Sequence, residues 1–156
     1  MNQNKKIFFI QGIDSFISGI LTILLPLLML ERGIDIISIG LVYSALPIIF
    51  QLTRFAFAIL SDFIGRRIFF LLNGILRVFY NLIYYFAFSP LEFLFGKIAE
   101  GASGASLWAV NRAFIIEQSK EKWKSLVEMR VFDSISEALG TLLAGFLIVF
   151  LFYSNA

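Results

Sequence analysis

The chain is organised around the stretch Ala58-Ile-Leu-Ser-Asp62-Phe-Ile-Gly65-Arg66-Arg67, which lies between two long apolar segments. Gly65 can take backbone angles that bulkier residues resist, so it suits a tight turn. The two arginines that follow are best placed beside the negative lipid headgroups of a cytoplasmic membrane surface. The stretch therefore predicts a short turn between two membrane-spanning helices.

Composition places most of this chain in lipid. Of its 156 residues, 59% are hydrophobic and only 15% are charged, and no soluble domain of this size could bury that much apolar surface. The absence of cysteine excludes a disulfide framework and a thiolate metal site. Histidine, the commonest general base and metal ligand, is absent as well. We therefore expect a membrane protein that is not an enzyme, with no cofactor, no metal site and no nucleic-acid partner.

Five apolar segments are each long enough to cross a bilayer. Their approximate limits are 7–30, 36–61, 68–88, 91–116 and 131–153. A cleaved signal peptide is the alternative for the first segment, but its apolar run is too long and no small-residue cleavage site follows it. Residues 117–130 form a polar, charge-dense connector. The sequence thus predicts an all-α, polytopic bundle of five transmembrane helices that forms a single domain over residues 1–156.

The distribution of basic residues predicts how the bundle lies in the membrane. Among the connecting turns, one side carries only Arg32. The other side carries Lys5, Lys6, Arg66, Arg67, Lys120, Lys122, Lys124 and Arg130. Because basic loops stay on the cytoplasmic side, we expect a multi-pass protein of the plasma membrane with its N-terminus in the cytoplasm and its C-terminus outside.

The opening stretch resembles the loop between the second and third helices of the major facilitator superfamily, whose pattern is Gly-x-Leu-Ala-Asp-Arg-x-Gly-Arg-Lys. Matching positions are Leu60, Asp62, Gly65 and Arg66, with Arg67 matching by charge, while Ala58, Ser61 and Phe63 depart from the pattern. A basic turn in an unrelated membrane protein is the alternative. Since each half of such a transporter contains six helices, the chain resembles the N-terminal half without its sixth helix, as a fragment or as a natural half-transporter.

Polar residues inside a lipid-embedded helix should face protein or water, so their spacing marks the inward side of two spans. The stripe of the first span is Gln11, Asp14, Ser15, Ser18 and Thr22, and that of the fourth is Lys97, Glu100, Gly101, Gly104, Ala105, Trp108 and Arg112. Lys97-x-x-x-Gly101-x-x-x-Ala105 also resembles the family's fourth-helix pattern Arg-x-x-x-Gly-x-x-x-Ala. The resemblance implies that the first and fourth helices line the substrate cavity.

These stripes predict a substrate or proton pathway made of Gln11, Asp14, Ser18, Lys97, Glu100 and Trp108. Asn111 is added to it as a side chain that could hydrogen-bond a polar solute. Lys97 could pair with Glu100 at three-residue spacing. Ionisable groups near the middle of a membrane mark substrate or proton sites, so Glu100 and Asp14 are the acids expected to couple a proton. The competing interpretation is an ion pair between Lys97 and Glu100 that only neutralises itself.

A second group of charges lies about 10 Å from the cytoplasmic ends of the spans, at a helical rise of about 1.5 Å per residue. It consists of Asp14, Arg54, Arg112 and Glu137, and we expect these residues to form a network with Asp62 just below it. The family resemblance implies a cytoplasmic gate made of Asp62, Gly65, Arg66, Arg67, Arg54, Arg112 and Glu137. Ion pairs that merely neutralise buried charges are the alternative.

Small residues predict where helices approach one another closely. They are Gly101, Gly104 and Ala105 in the fourth span and Gly140 and Gly145 in the fifth. The run from Ser136 to Gly145 resembles the family's antiporter motif Gly-x-x-x-Gly-Pro-x-x-Gly-Gly, although Thr141 stands in place of the proline. A packing face with no role in transport is the alternative.

The favoured function is secondary active transport of a small solute by alternating access, with the solute unidentified and a proton as a candidate coupling ion. Alternating access needs two bundles around a central site. The chain would therefore need a second helical bundle, supplied by a C-terminal half, a second chain or a homodimer. The alternative function is a non-transporting subunit that docks another membrane protein through its small-residue helix faces.

Overall fold

The protein is all-helical over the residues that its computed structural model describes, which are 3–119 and 121–153. The five helices are α1 (Gln3–Glu31), α2 (Ile36–Ile64), α3 (Arg66–Phe86), α4 (Pro90–Gln118) and α5 (Lys122–Tyr153). The all-α class and the five helices expected from the sequence are confirmed. Lys120, which contributes to the predicted charge bias, lies outside the described residues.

Four of these helices are long and apolar enough to cross a membrane: α1 from Ile7, α2, α3, and α5 as far as Phe150. Helix α4 is as long as α2, at 29 residues, but it carries Glu92, Lys97, Glu100, Arg112 and Glu117. Several of its polar side chains are buried against protein. A helix whose polar face packs on its neighbours can span lipid without being apolar all round.

Two turns are built on glycines with positive φ. Gly33, with φ +77°, ends α1, and hydrogen bonds from Gly33 to the Leu30 carbonyl and from Ile34 to the Met29 carbonyl close a Schellman motif. Gly65, with φ +95°, is the single residue between α2 and α3, and its N–H donates to the Ser61 carbonyl. The tight turn predicted around Asp62 is therefore one residue long, and Asp62 itself belongs to the last turn of α2.

Helix α5 begins earlier than the predicted fifth span. The residues expected to form a connector are divided between the end of α4 at Gln118 and the start of α5 at Lys122. No glycine or proline interrupts the sequence between Lys122 and Arg130, so the backbone continues as one helix into the apolar segment. An exposed ion pair of 3.3 Å joins Lys124 to Glu121 at this end.

The described residues divide into two compact units. The first consists of the chain up to Leu28 and the chain from Ile115, and in it α1 packs on α5 through glycines. A Cβ added at Gly19 would overlap the Glu137 carbonyl, and one added at Gly140 would overlap the Phe16 carbonyl. The hydroxyl of Thr141 donates to the Gly19 carbonyl at 3.3 Å. Backbone-to-backbone approach of this kind requires glycine at both crossing points.

The second unit runs from Met29 to Phe114 and contains a seam between α2 and α4. Tyr43 lies against Lys97, Phe50 against Gly104, and Arg54 against Trp108. Each of these pairs is separated by 54 positions in the sequence, so the two helices run in the same direction at a constant register.

Buried hydrogen bonds join α3 to α4 in the same unit. The Asn73 amide donates to the carbonyl and the hydroxyl of Ser103 at 2.9 and 3.0 Å, and the Ser103 hydroxyl donates to the Asn73 carbonyl at 3.1 Å. At the far end of α3, the guanidinium of Arg32 donates to the carbonyls of Tyr84, Tyr85 and Ala87. Arg32 thereby satisfies carbonyls that the helix end leaves without an intrahelical partner.

Candidate functional site

The centre of the second unit holds a buried ion pair on α4. The Lys97 ammonium lies 2.7 Å from Oε2 of Glu100, and the two side chains are 3% and 16% exposed. Lys97 and Glu100 are three residues apart, which places them on one face of the helix. An isolated charge at the centre of a membrane-spanning helix costs about 2.5–3.5 kcal/mol on insertion scales. Pairing removes most of that cost, and it fixes both side chains at the same time.

Helix α3 adds Tyr84 to the ion pair of Lys97 and Glu100. The Tyr84 hydroxyl donates to Oε2 of Glu100 at 2.5 Å. The same carboxylate oxygen therefore accepts from both Lys97 and Tyr84. The Tyr84 ring is held between Tyr80, at a centroid distance of 5.7 Å, and Phe93, at 6.1 Å. The tilted Tyr80 ring and the stacked Phe93 ring restrict the tyrosine, and its hydroxyl points at the acid.

Helix α2 supplies Tyr43. Its ring centroid lies 4.2 Å from the Lys97 ammonium, and the Tyr84 ring centroid lies at 5.8 Å. Both rings stabilise the cation through cation–π attraction. The hydroxyl of Tyr43 is buried and has no hydrogen-bond partner among the described residues. A buried hydroxyl that is left unsatisfied costs free energy, so it favours a ligand or a water that can pair with it.

Gly96 makes room for this arrangement. A Cβ at position 96 would overlap the ring of Tyr84. Because only glycine leaves that space, Tyr84 can approach α4 closely enough to reach Glu100 from the neighbouring helix. Gly96 is therefore a positioning residue for the pair of Lys97 and Glu100.

Two arginines meet one tryptophan further along the seam. The guanidinium of Arg54 lies 4.1 Å from the Trp108 ring centroid, and that of Arg112 lies 4.0 Å from it. Phe50 packs edge-on against the same indole at 6.4 Å. The predicted gate residues Arg54 and Arg112 are thus brought together by Trp108, which the sequence had assigned to the pathway.

The predicted packing residues of α4 lie against α2. A Cβ at Gly101 would come within 3.1 Å of the Ile49 side chain, and one at Gly104 would lie 3.4 Å from the Phe50 ring. Ala105 and Asn111 are fully buried. The fourth-helix stripe therefore packs at least partly on a neighbouring helix.

The predicted residues of α1 and α5 lie in the first unit. Gln11, Asp14 and Ser18 are half-buried, and Glu137 is exposed. The Ser18 carbonyl accepts a hydrogen bond from Thr22 at 2.9 Å. Gly140 lies at the crossing with α1, whereas a Cβ at Gly145 would meet no atom within 4 Å. The network that would join Asp14 and Glu137 to the arginines of the other unit stays a prediction.

The loop motif lies at the junction of α2 and α3. Asp62 and Arg67 are exposed, Arg66 is half-buried, and Gly65 provides the positive φ of the turn. The gate role of these residues stays a prediction as well. Within the described ranges, no group of three or more acidic side chains is placed to hold a metal ion.

Several residues of the site were not selected from the sequence. Tyr84 continues the face of α3 that begins with Asn73 and Arg77, at steps of four, three and four residues through Tyr80, so the helical period could have found it. Tyr43 carries no comparable signal, because one aromatic residue in an apolar span is normally part of the packing. Gly96 has no signal either, since its role depends on the position of a ring on another helix.

The comparison with protein families agrees with this architecture. Residues 7–156 match the family described as Major Facilitator Superfamily. Searches of the curated proteins and of the solved structures find no match to the chain. Because the family match covers nearly the whole sequence, this chain belongs to the major facilitator superfamily, whose members are membrane transporters of small solutes.

Proposed function

We propose that the chain forms one helical bundle of a secondary active transporter, which moves a small solute across the plasma membrane by alternating access. Transporters of this type are generally not enzymes. The observation that carries the proposal is the buried pair of Lys97 and Glu100, tied to two other helices by Tyr84 and Tyr43. Ionisable groups inside a span are costly and mark substrate or ion pathways.

In this proposal Glu100 is the proton-coupling acid. Its Oε2 is occupied by Lys97 and Tyr84, while Oε1 has no hydrogen-bond donor among the described residues. The side chain keeps 16% of its surface exposed. A carboxylate with one free oxygen and some exposure can accept a proton without first leaving its helix partners. Asp14, half-buried on α1, is the second candidate.

The remaining parts of the proposal concern assembly and gating. All described residues would belong to one domain, with the N-terminus in the cytoplasm. The turn at Gly65 and the arginines on Trp108 would act at the cytoplasmic gate. A second bundle, from a C-terminal half, a second chain or a homodimer, would complete the central site. Chemical cross-linking in native membranes identifies which of these three is present.

The test uses vesicles of the native membrane, which retain any second polypeptide. An acid-outside pH gradient is imposed, and uptake is followed for labelled sugars, amino acids and monocarboxylates in turn. We expect gradient-driven uptake of one class, and its loss in Glu100→Gln.

Glu92→Gln is the matched control, because it makes the same change on the same helix. The Glu92 carboxylate accepts from the backbone N–H groups of Phe88 and Ser89, and glutamine keeps an acceptor oxygen for them. Unaltered gradient-driven uptake in Glu100→Gln would show that Glu100 is not the coupling residue. Absence of uptake for every class would refute transport by this assembly.

A further inference from the structure

We infer that the solute is a monoanion bearing a carboxylate, and that it binds Lys97 and Tyr43 together with one proton on Glu100. The inference rests on the proposed transport function and identifies the substrate class of the same site. Lys97 and Tyr43 have hydrogen-bond donors that lack an acceptor. Lys97 has three N–H donors and one carboxylate partner. It lies over the ring of Tyr43, whose buried hydroxyl has no hydrogen-bond partner among the described residues. Two adjacent donors, one of them cationic, suit a carboxylate.

Charge balance explains why a proton must accompany the anion. Lys97 and Glu100 together are neutral, and Glu100 is the only carboxylate within hydrogen-bonding distance of Lys97 in the described part of this unit. Protonation of Glu100 alone would leave a buried ammonium without its counter-ion, which lipid disfavours strongly. Binding of an anion alone would place two negative charges on one ammonium. Proton and monoanion together leave the site neutral, as it was before.

The proton has a defined place in the site. It would be taken up on Oε1 of Glu100, the oxygen that has no donor in the described structure. Oε2 then becomes the carbonyl oxygen of the acid and still accepts from the hydroxyl of Tyr84. The Lys97 ammonium turns from Oε2 to the solute carboxylate, which also accepts from Tyr43. No covalent bond other than the O–H of Glu100 forms.

The other groups around Glu100 do not supply an alternative counter-ion. Its own helix supplies Lys97, which in turn lies over the Tyr43 ring of α2. From α3 Glu100 faces Tyr84, with the Tyr80 ring packed at a tilt against the Tyr84 ring. Arg77 lies one turn before Tyr80 on α3 and interacts with the Tyr80 hydroxyl.

Two consequences follow from this stoichiometry. Loading is electroneutral at the site, so a membrane potential without a pH gradient should not drive accumulation. Proton and anion also tighten one another's binding, because coupling between two ligands is reciprocal. Because one proton binds with each anion, the apparent Kd for the anion should rise with pH, by at most about tenfold per pH unit.

The test measures binding to the full chain in lipid nanodiscs, so it does not depend on transport. Benzoate, which stays ionised throughout, is titrated at about pH 6 and about pH 8, and proton uptake is read from buffers of different ionisation enthalpy. We expect tighter binding at the lower pH, with about one proton taken up per benzoate. Glu92→Gln serves again as the control and should behave as the wild type.

The two members of the pair should respond in opposite ways. Lys97→Gln removes the cation and should abolish binding. Glu100→Gln imitates the protonated acid, so it should bind benzoate at the higher pH at least as tightly as the wild type does at the lower pH. Its binding should be independent of pH and should take up no proton. If Lys97→Gln does not fold, Tyr43→Phe replaces it and should weaken binding about tenfold through loss of one hydrogen bond to an anion.

Three results would overturn the inference: no benzoate binding, binding without proton uptake, or binding that Lys97→Gln or Tyr43→Phe leaves unchanged. Failure of the transport proposal looks different. Benzoate binding with proton uptake but no solute uptake in vesicles would refute transport and leave the binding site standing. Gradient-driven uptake of an uncharged solute would support transport and overturn the monoanion inference alone.

Discussion

Replacing Tyr84 by phenylalanine removes one hydroxyl from the site and leaves the aromatic packing in place. The hydroxyl donates to Oε2 of Glu100 at 2.5 Å, while the ring is held by Tyr80 and Phe93. Phenylalanine keeps both ring contacts. The variant therefore measures the hydrogen bond to the carboxylate and little else.

The expected cost follows from two bounds. Hydrogen bonds to charged groups contribute about 1.5–3 kcal/mol in proteins generally, whereas polar contacts between membrane helices average about 0.6 and reach about 1.7 kcal/mol. Oε2 keeps its bond to Lys97 in the variant, so the carboxylate is not left without a partner. We therefore expect Tyr84→Phe to lower the free energy of unfolding by about 1–2 kcal/mol.

The assay is reversible unfolding by sodium dodecyl sulfate in mixed micelles, followed by circular dichroism. Tyr85→Phe is the matched control, because Tyr85 is the next residue of α3 and is 70% exposed; its cost should stay within about 0.5 kcal/mol. In a Glu100→Gln background, Tyr84→Phe should cost markedly less, since the two residues share one interaction. Equal costs for Tyr84→Phe and Tyr85→Phe, or additive costs for Tyr84 and Glu100, would refute the reasoning.

Two further predictions concern the first unit and the start of α2. Gly140→Ala should destabilise the packing of α1 on α5 by about 1–3 kcal/mol in the same unfolding assay, because the new methyl group overlaps the Phe16 carbonyl. Gly145→Ala has open space around it and should cause no such loss. Equal losses in the two variants would contradict the close approach of α1 and α5 at Gly140. Hydrogen bonds from the hydroxyl and amide of Ser38 hold the pKa of the Asp35 carboxyl below its ordinary value of 3.8. The stabilisation from this cap is therefore present above pH 3.8 and is lost as pH falls through the lower pKa of the folded state. The chemical shift of the Ser38 amide should follow this titration, and in Asp35→Asn it should no longer change with pH.

The elements of this fold could be predicted because lipid imposes a simple rule. Apolar segments of twenty or more residues must be helices, and α1, α2, α3 and α5 follow from that rule. Helix α4 carries more charges and follows from its polar stripe at helical spacing. The ends of a helix are harder to predict where polar residues continue it beyond the apolar run. Residues 122–130 are an example, since nothing in that stretch stops the helix. Ile64 likewise extends α2 up to Gly65, the first residue able to turn the chain.

The site could be predicted only in part, because a stripe on one helix does not identify its partner. The spacing of Lys97 and Glu100 predicted their ion pair. It could not reveal Tyr84, which comes from α3, or the space that Gly96 leaves for that ring. Contacts between helices depend on their register, and a single sequence contains no direct record of register. Tyr43 illustrates the limit, since its significance lies in a hydroxyl that has no partner in the described structure.

The contacts along the seam between α2 and α4 give a physical reason why the seam should rearrange when Glu100 is protonated. Aromatic rings hold cations at both ends of the seam, with Tyr43 on Lys97 and Trp108 on Arg54 and Arg112, at distances of 4.0–4.2 Å. A cation–π contact is worth about 0.5–2 kcal/mol and tolerates some sliding of the ring. Breaking the ion pair would instead leave buried charges without a partner, which costs about 2.5–3.5 kcal/mol for each unpaired group. Protonation of Glu100 with simultaneous binding of an anion to Lys97 avoids that cost, so we expect the seam to rearrange at that step and not before it.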